Sequence, residues 1–306
     1  MLISILVATV ALFVIGVLAL AVSAGPIILL HPQRCTPEGL RKSGKRAYPD
    51  DLSLPSEPFI VQTQDNLTLR GWIIPPCAVS GGNRAHRGTV IFLHGVGECK
   101  SQGLPLANLL FKNGYTTVLV DFRAHGESDG DICTYGYREK DDLRRIIDEL
   151  ELRVGSVQPL VLMGISMGAA IALQTAAIEP RIKGVIAEAS FIDLKTAVLE
   201  YEYKTIRLRS RLLQTIILRR AERYANFSAE EVSPLSAVRK IGVPILFIHG
   251  TDDPRVPYKA SELLFQHAAG PKELFVVQGA HHTDVWKVAG TEYEQRLLRF
   301  LEKISA

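Results

Sequence analysis

Three rhythms of hydrophobic and polar residues divide the chain. Residues 2–30 carry no charged side chain and are nearly all Leu, Ile, Val and Ala. Residues 31–58 are rich in proline and charge without a sustained period, which reads as a linker. From residue 59 onward, short β-branched runs alternate with longer amphipathic stretches, the pattern of a parallel sheet covered by helices. Residues 59–62 and 67–74 predict a leading antiparallel hairpin around the turn Gln64-Asp65-Asn66. The continuous apolar runs 90–93, 116–122, 160–164, 182–187, 244–248 and 273–277 suit strands buried on both faces. Helices are expected over 104–113, 138–153, 167–178, 258–268 and 288–303. The fold class is therefore α/β, with a mostly parallel central sheet and helices on both faces.

Residues 191–236 fit no further β/α repeat and predict an inserted helical cap. Within the cap, 203–223 reads as one helix with Lys204, Arg207 and Arg211 on one face and Leu212, Leu213, Ile216 and Ile217 largely opposite. The basic face reads as the solvated side of a lid helix, with contact to anionic lipid headgroups as the alternative.

The opening run is long enough to cross a bilayer, for which a helix needs roughly 20 apolar residues. Val22-Ser23-Ala24 offers a signal-peptide cleavage site, but the run exceeds the roughly 7 to 15 apolar residues of a signal sequence, and no Lys or Arg precedes it. The expected organisation is a transmembrane anchor over 1–30, a linker over 31–58 and a catalytic domain over 59–306. Arg34, Arg41, Lys42, Lys45 and Arg46 follow the run closely, so the positive-inside bias predicts a single-pass membrane protein with its catalytic domain in the cytoplasm.

Composition changes little in this picture. A net charge of +3, with basic residues interspersed among acidic ones, gives no reason to expect a nucleic-acid partner. Cys35, Cys77, Cys99 and Cys133 show neither a CxxC pair nor zinc-site spacing and read as free thiols, so no metal is expected. Outside the cytoplasm, Cys99 and Cys133 follow strand ends on one edge and are candidates to pair.

Candidate chemistry centres on Gly164-Ile165-Ser166-Met167-Gly168, which follows an apolar strand and opens an Ala-rich helix. A serine hydroxyl is a weak nucleophile, so acyl transfer needs a base to take its proton and donors to hold the developing oxyanion. The loop His94-Gly95-Val96-Gly97 follows an earlier strand, and the backbone N–H groups of Val96 and Met167 are the candidate oxyanion donors. His94, beside that loop, reads as a structural hydrogen-bonding residue. Downstream, Asp252 and Asp253 both qualify by chemistry as the carboxylate that orients a histidine, and His281 and His282 both qualify as the base.

From residue 59 to the C-terminus the chain resembles the α/β-hydrolase superfamily. The resemblance is carried by Leu93-His94-Gly95, the segment Asp121 to Ser128, the Ser166 turn and the segment His249 to Pro257. It implies an order of nucleophile, acid and histidine, and the pattern H-G-x-x-D-x-x-V-P puts the acid on Asp253. The usual G-x-G-H puts the base on His282, although His281 stands where the family commonly has glycine. The leading anchor and the entry strand Leu67-Thr68-Leu69-Arg70-Gly71-Trp72 look most like membrane-anchored esterases, thioesterases and serine-aminopeptidase-like members. Arg123 and His125, by the same resemblance, make structural hydrogen bonds beside the site.

The expectation is thus a serine hydrolase acting on an ester or thioester, small or acylated, with the triad Ser166, Asp253 and His282 and no cofactor. Lipid-derived substrates at a membrane are expected from the anchor and the cap. The rivals are an exopeptidase-like enzyme acting on amides and a membrane-tethered binding protein without catalysis.

Overall fold

The computed structural model describes residues 2–77, 86–155, 157–207 and 209–305. Among them the chain runs through α1 (Leu2–Leu30), α2 (Pro37–Lys42), β1 (Glu57–Gln62), β2 (Thr68–Ile74), β3 (Thr89–Leu93), α3 (Leu104–Lys112), β4 (Thr116–Val120) and α4 (Glu139–Val154). It continues through β5 (Leu160–Ile165), α5 (Met167–Ala176), β6 (Ile182–Glu188), α6 (Leu194–Ile206), α7 (Arg211–Ala225) and α8 (Pro234–Val238). The last elements are β7 (Ile245–Gly250), α9 (Lys259–His267), β8 (Lys272–Val277), α10 (Val285–Ala289) and α11 (Thr291–Ser305).

The eight strands form one sheet in the order β1-β2-β4-β3-β5-β6-β7-β8. β1 pairs antiparallel with β2 and β2 antiparallel with β4, while every pair from β4/β3 to β7/β8 is parallel. Strand alternation explains the unbroken apolar runs at the centre of the inner strands. In β3, Ile91 and Leu93 enter one core with α4 and α5, while Val90 and Phe92 enter the other with α3 and α11. Leu160 and Leu162 of β5 and Ile245 and Phe247 of β7 repeat the first assignment, and Val161, Met163, Leu246 and Ile248 the second. A strand with a helix layer on each side has no face left for polar side chains. This is the α/β-hydrolase architecture, with its antiparallel entry pair.

Two expectations about helices are corrected. The stretch 203–223 is two helices rather than one: Arg207 takes a left-handed conformation at the end of α6, and Ser210 caps α7 by accepting the N–H of Leu213. Lys204 therefore belongs to α6 and Arg211 to α7, and no common basic face carries them. The last expected helix is likewise divided, at Gly290, whose φ of 56° is open to glycine without cost.

The apolar N-terminus corrects a larger expectation. Among the described residues no helix is long and apolar enough to cross a membrane, which overturns the single-pass anchor and the membrane localisation. Part of the apolar run faces protein instead. The side chain of Ile217 in α7 packs on Gly25, where an added Cβ would come within 3.0 Å of it. Arg220 donates to the Val22 carbonyl at 3.2 Å, and Leu30 is wholly buried in a core shared with α6 and α7. An uncharged run serves lipid or a protein groove equally well, so composition did not distinguish them.

Candidate active site

Every candidate residue sits at or just beyond the C-terminal end of a parallel strand, the edge on which open α/β sheets gather their chemistry. Ser166 lies between β5 and α5 with φ 55° and ψ −115°, a conformation costing about 1–3 kcal/mol for a residue with a side chain. Its surroundings hold it there. The Ser166 N–H donates to the Glu188 carbonyl at 2.8 Å, and its carbonyl accepts from Ala170 at 3.1 Å. The flanking glycines are required by close approach: a Cβ on Gly164 would lie 2.2 Å from the carbonyl carbon of Gly168. One on Gly168 would lie 2.0 Å from the Leu93 carbonyl oxygen.

The last contact brings the β3 loop against the turn. A Cβ on Gly95 would meet the Ser166 Cβ at 3.7 Å, so the peptide leading into Val96 runs beside the serine. Met167 is the first residue of α5, where the N–H groups have no intrahelical acceptor and carry the positive end of the helix dipole. His94 is wholly buried and fully engaged: its Nδ1–H donates to the Gly95 carbonyl at 2.8 Å and its Nε2 accepts the Phe122 N–H at 3.1 Å. Burial, reinforced by neighbouring His125, lowers its pKa well below the ordinary value. It shapes the loop and has no nitrogen free for proton transfer.

The structure separates the adjacent candidates downstream. Asp253 and His282 are both buried and paired, with His282 Nδ1 donating to Asp253 Oδ2 at 2.6 Å. Asp252 is exposed and takes the Thr251 hydroxyl at 2.8 Å, and His281 is exposed with Asp284 3.5 Å away. Two backbone ties hold the acid loop to the histidine loop: Thr251 N–H to the Val277 carbonyl and Asp252 N–H to the Ala280 carbonyl, both 3.0 Å.

The Asp253 carboxylate collects four N–H donors. Oδ1 accepts from Arg255 at 2.7 Å and Val256 at 3.0 Å, and Oδ2 accepts from His282 and, at 3.1 Å, from His249 Nε2. Burial alone would raise its pKa, but the bonds from His249 and His282 outweigh that and hold it well below the usual carboxylate range. His249 is itself fixed, since Nδ1 accepts the Ser261 hydroxyl at 2.7 Å and Nε2 also faces the Val256 carbonyl at 2.9 Å. With Nδ1 of His282 committed to the carboxylate, Nε2 is the nitrogen left to exchange a proton. Among the described residues no hydrogen bond joins Ser166 to His282, and such bonds often tighten only once substrate is bound.

Two residues of this neighbourhood escape a reading of motifs. His249 appears in the sequence only as the residue that opens H-G-x-x-D, and its bond to Asp253, four residues on, depends on β7 ending at Gly250 between them. Glu188 ends β6, is buried, and takes a hydrogen bond from the Tyr293 hydroxyl of α11. Burial raises Glu188 to about 7, with the nearby Asp253 charge adding to it and Tyr293 and His249 acting against it. An unfolded glutamate titrates at about 4.3, so between roughly pH 4.5 and 7 the folded chain holds a proton that the unfolded chain has released. Stability therefore falls as pH rises through that window. Glu188→Gln is expected to remove the effect, so the wild-type minus variant unfolding free energy should drop by on the order of 3 kcal/mol between pH 4.5 and 8. Urea denaturation of both proteins at the two pH values checks this; an unchanged difference would mean that Glu188 is ionised throughout.

The loop after β4 carries the structural hydrogen bonds expected of it. Arg123 binds Asp142 through Nε at 2.6 Å and Asp65 through Nη1 at 2.9 Å, and His125 Nδ1 lies 2.9 Å from the Arg123 carbonyl. A cavity of about 220 Å³ opens between α6 and the acid loop, walled by Phe191, Ile192, Ala197, Val256, Pro257 and Leu263. A smaller hollow of about 140 Å³ beside Asp65, Arg123 and Asp142 belongs to that ion-pair cluster and not to the Asp253–His282 pair. Among the described residues no three His, Cys, Asp or Glu side chains are grouped to hold a metal ion.

Comparison with known proteins agrees with this architecture. Residues 84–231 match the family model described as serine aminopeptidase, S33, a span that contains Ser166 but ends before Asp253 and His282. The chain is 27% identical to the uncharacterized protein YqkD of Bacillus subtilis over 96% of its own length and 97% of that protein. Among solved structures, the Pyrococcus furiosus esterase Pf2001 superposes with a TM-score of 0.70 at 25% identity, covering 90% of this chain and all of the esterase. An acylaminoacyl peptidase superposes with a TM-score of 0.62 at 18% identity, covering 81% of this chain and 41% of that one, a likeness of fold.

Proposed function

The chain belongs to the α/β-hydrolase superfamily and is a hydrolase of that kind, and from this premise we propose that it cleaves a carboxylic ester or thioester through an acyl-enzyme on Ser166. The observation that carries the reading is the buried Asp253–His282 pair at 2.6 Å, on the same sheet edge as the strained Ser166. Ser166 Oγ attacks the substrate carbonyl while His282 Nε2 takes its proton, and Asp253 stabilises the imidazolium that forms. The N–H groups of Val96 and Met167 receive the oxyanion. Collapse of the tetrahedral adduct transfers the proton from His282 to the leaving alkoxide or thiolate. Water, activated by the same histidine, then releases the acid and restores the serine. No metal or organic cofactor enters the scheme. The helices α6 and α7 act as the cap, and the cavity beneath α6 receives part of a small-molecule or acylated substrate.

The ester reading draws support from the esterase Pf2001, and the S33 description favours an amide-cleaving exopeptidase as the second reading. A panel of p-nitrophenyl esters, acyl thioesters and aminoacyl amides separates them. The expected result is turnover of esters and thioesters with amides slower by at least about 100-fold in kcat/KM, roughly 2.7 kcal/mol of transition-state stabilisation. Amides turned over as well as esters would transfer the assignment to the exopeptidase. A purified protein that neither turns over any of the panel nor reacts with a fluorophosphonate would leave a binding role.

A further inference from the structure

We propose that Cys35 and Cys99 are the two halves of a disulfide site that staples the segment following α1 to the loop carrying Val96. The thiols belong to segments 64 residues apart, yet their sulfurs lie 3.0 Å from each other. Both cysteines are free in this structure. Cys99 is fully buried and Cys35 is partly exposed.

The approach is imposed by contacts that do not involve sulfur. The Leu30 carbonyl accepts the Cys133 N–H at 2.8 Å, and the Leu29 carbonyl accepts the Tyr135 hydroxyl at 2.9 Å. Arg34 donates to the carbonyls of Ser128 at 2.6 Å and Gly126 at 3.3 Å, and also to that of Gly130. Gly97, on the loop itself, faces the Gln33 carbonyl, which an added Cβ would meet at 3.7 Å. The segment 29–35 is therefore laid along the sheet edge before any cross-link forms, and bonding needs the sulfurs to close by only about 1 Å. The same geometry puts Cys35 beside Cys99, whereas Cys133, the candidate partner for Cys99 outside the cytoplasm, donates its thiol to Met167 Sδ at 3.4 Å.

With hydrogen peroxide as oxidant the reaction balances simply. The more accessible Cys35 thiolate attacks one peroxide oxygen, giving a sulfenic acid and, after protonation, water. The Cys99 thiolate then attacks the Cys35 sulfur and expels the second water, so two thiols and one peroxide become one disulfide and two waters. Burial raises both thiols above their ordinary value, so the reaction quickens as pH rises above neutrality. Because the reduced chain already holds this arrangement, oxidation leaves the shape of the site unchanged and restricts the unfolded chain.

The test uses the whole 306-residue chain. It is treated with hydrogen peroxide at pH 8, then denatured, alkylated, digested and mapped by mass spectrometry. The expected product is a peptide pair linked through Cys35 and Cys99, reversible by dithiothreitol, with free thiols falling from four to two and Tm rising by about 5 °C or more. Cys35→Ser should lose both the linked peptide and the rise in Tm. A Cys99–Cys133 link, Cys35 driven to sulfinic acid with Cys99 still free, or cross-linking seen only in urea would each overturn the proposal. Thiol mapping does not depend on hydrolysis, so its outcome stands apart from the functional reading.

Discussion

Replacing Ser166 by alanine is expected to lower kcat for ester hydrolysis by at least about 10⁴-fold while leaving the fold intact. The hydroxyl supplies the covalent bond to the acyl group, so the remaining donors and His282 can assist only direct attack by water. The flanking structure is indifferent to the change, because Ser166 is held through its backbone bonds to Glu188 and Ala170 rather than through its side chain. Labelling by a fluorophosphonate should vanish in Ser166→Ala and persist in a surface variant such as Ser236→Ala. Retention of more than a tenth of the activity in a correctly folded Ser166→Ala protein would remove Ser166 as the nucleophile.

Asp253→Asn is expected to lower kcat by about 10³ to 10⁴-fold, with KM changed far less. The aspartate accepts four N–H bonds, and an asparagine of the same shape keeps one oxygen and turns an NH₂ toward two of those donors. If the NH₂ faces His282, the imidazole must present an unprotonated Nδ1 and place its proton on Nε2, which removes the base. If it faces Arg255 and Val256, the acid loop loses its closure. Asp252→Asn is the matched control, since Asp252 is exposed, its carboxylate takes the hydroxyl of its neighbour Thr251, and its backbone tie to Ala280 survives the change, so it should retain activity within about twofold. Steady-state kinetics on both variants with thermal melts alongside decides the matter. Equal losses from the two would mean that the buried pair does not orient the base.

The legible and illegible parts of the chain differ in range. The strands at the centre of the sheet were legible because burial on both faces produces unbroken apolar runs, as Val90, Ile91, Phe92 and Leu93 show in two different cores. The turn around Ser166 was legible because its glycines answer to local contacts, Gly164 against Gly168 and Gly168 against the Leu93 carbonyl. Which of two adjacent aspartates and histidines turns inward was not a matter of residue type. It follows from the backbone ties between the β7 and β8 loops, which set Asp253 and His282 against each other and leave Asp252 and His281 in solvent.

By itself the sequence determined the α/β class, the antiparallel entry pair, the order of the strands along the chain and a small set of candidate side chains. These depend on periodicity and on steric demands that reach only a few residues. The tertiary structure alone decided where the apolar N-terminus goes, how 203–223 divides into two helices, and which cysteine faces Cys99. It also decided that a buried glutamate and a second histidine surround the acid. Each of these is a contact between segments tens of residues apart, where many residue types satisfy the same local pattern and only the packed partner distinguishes among them.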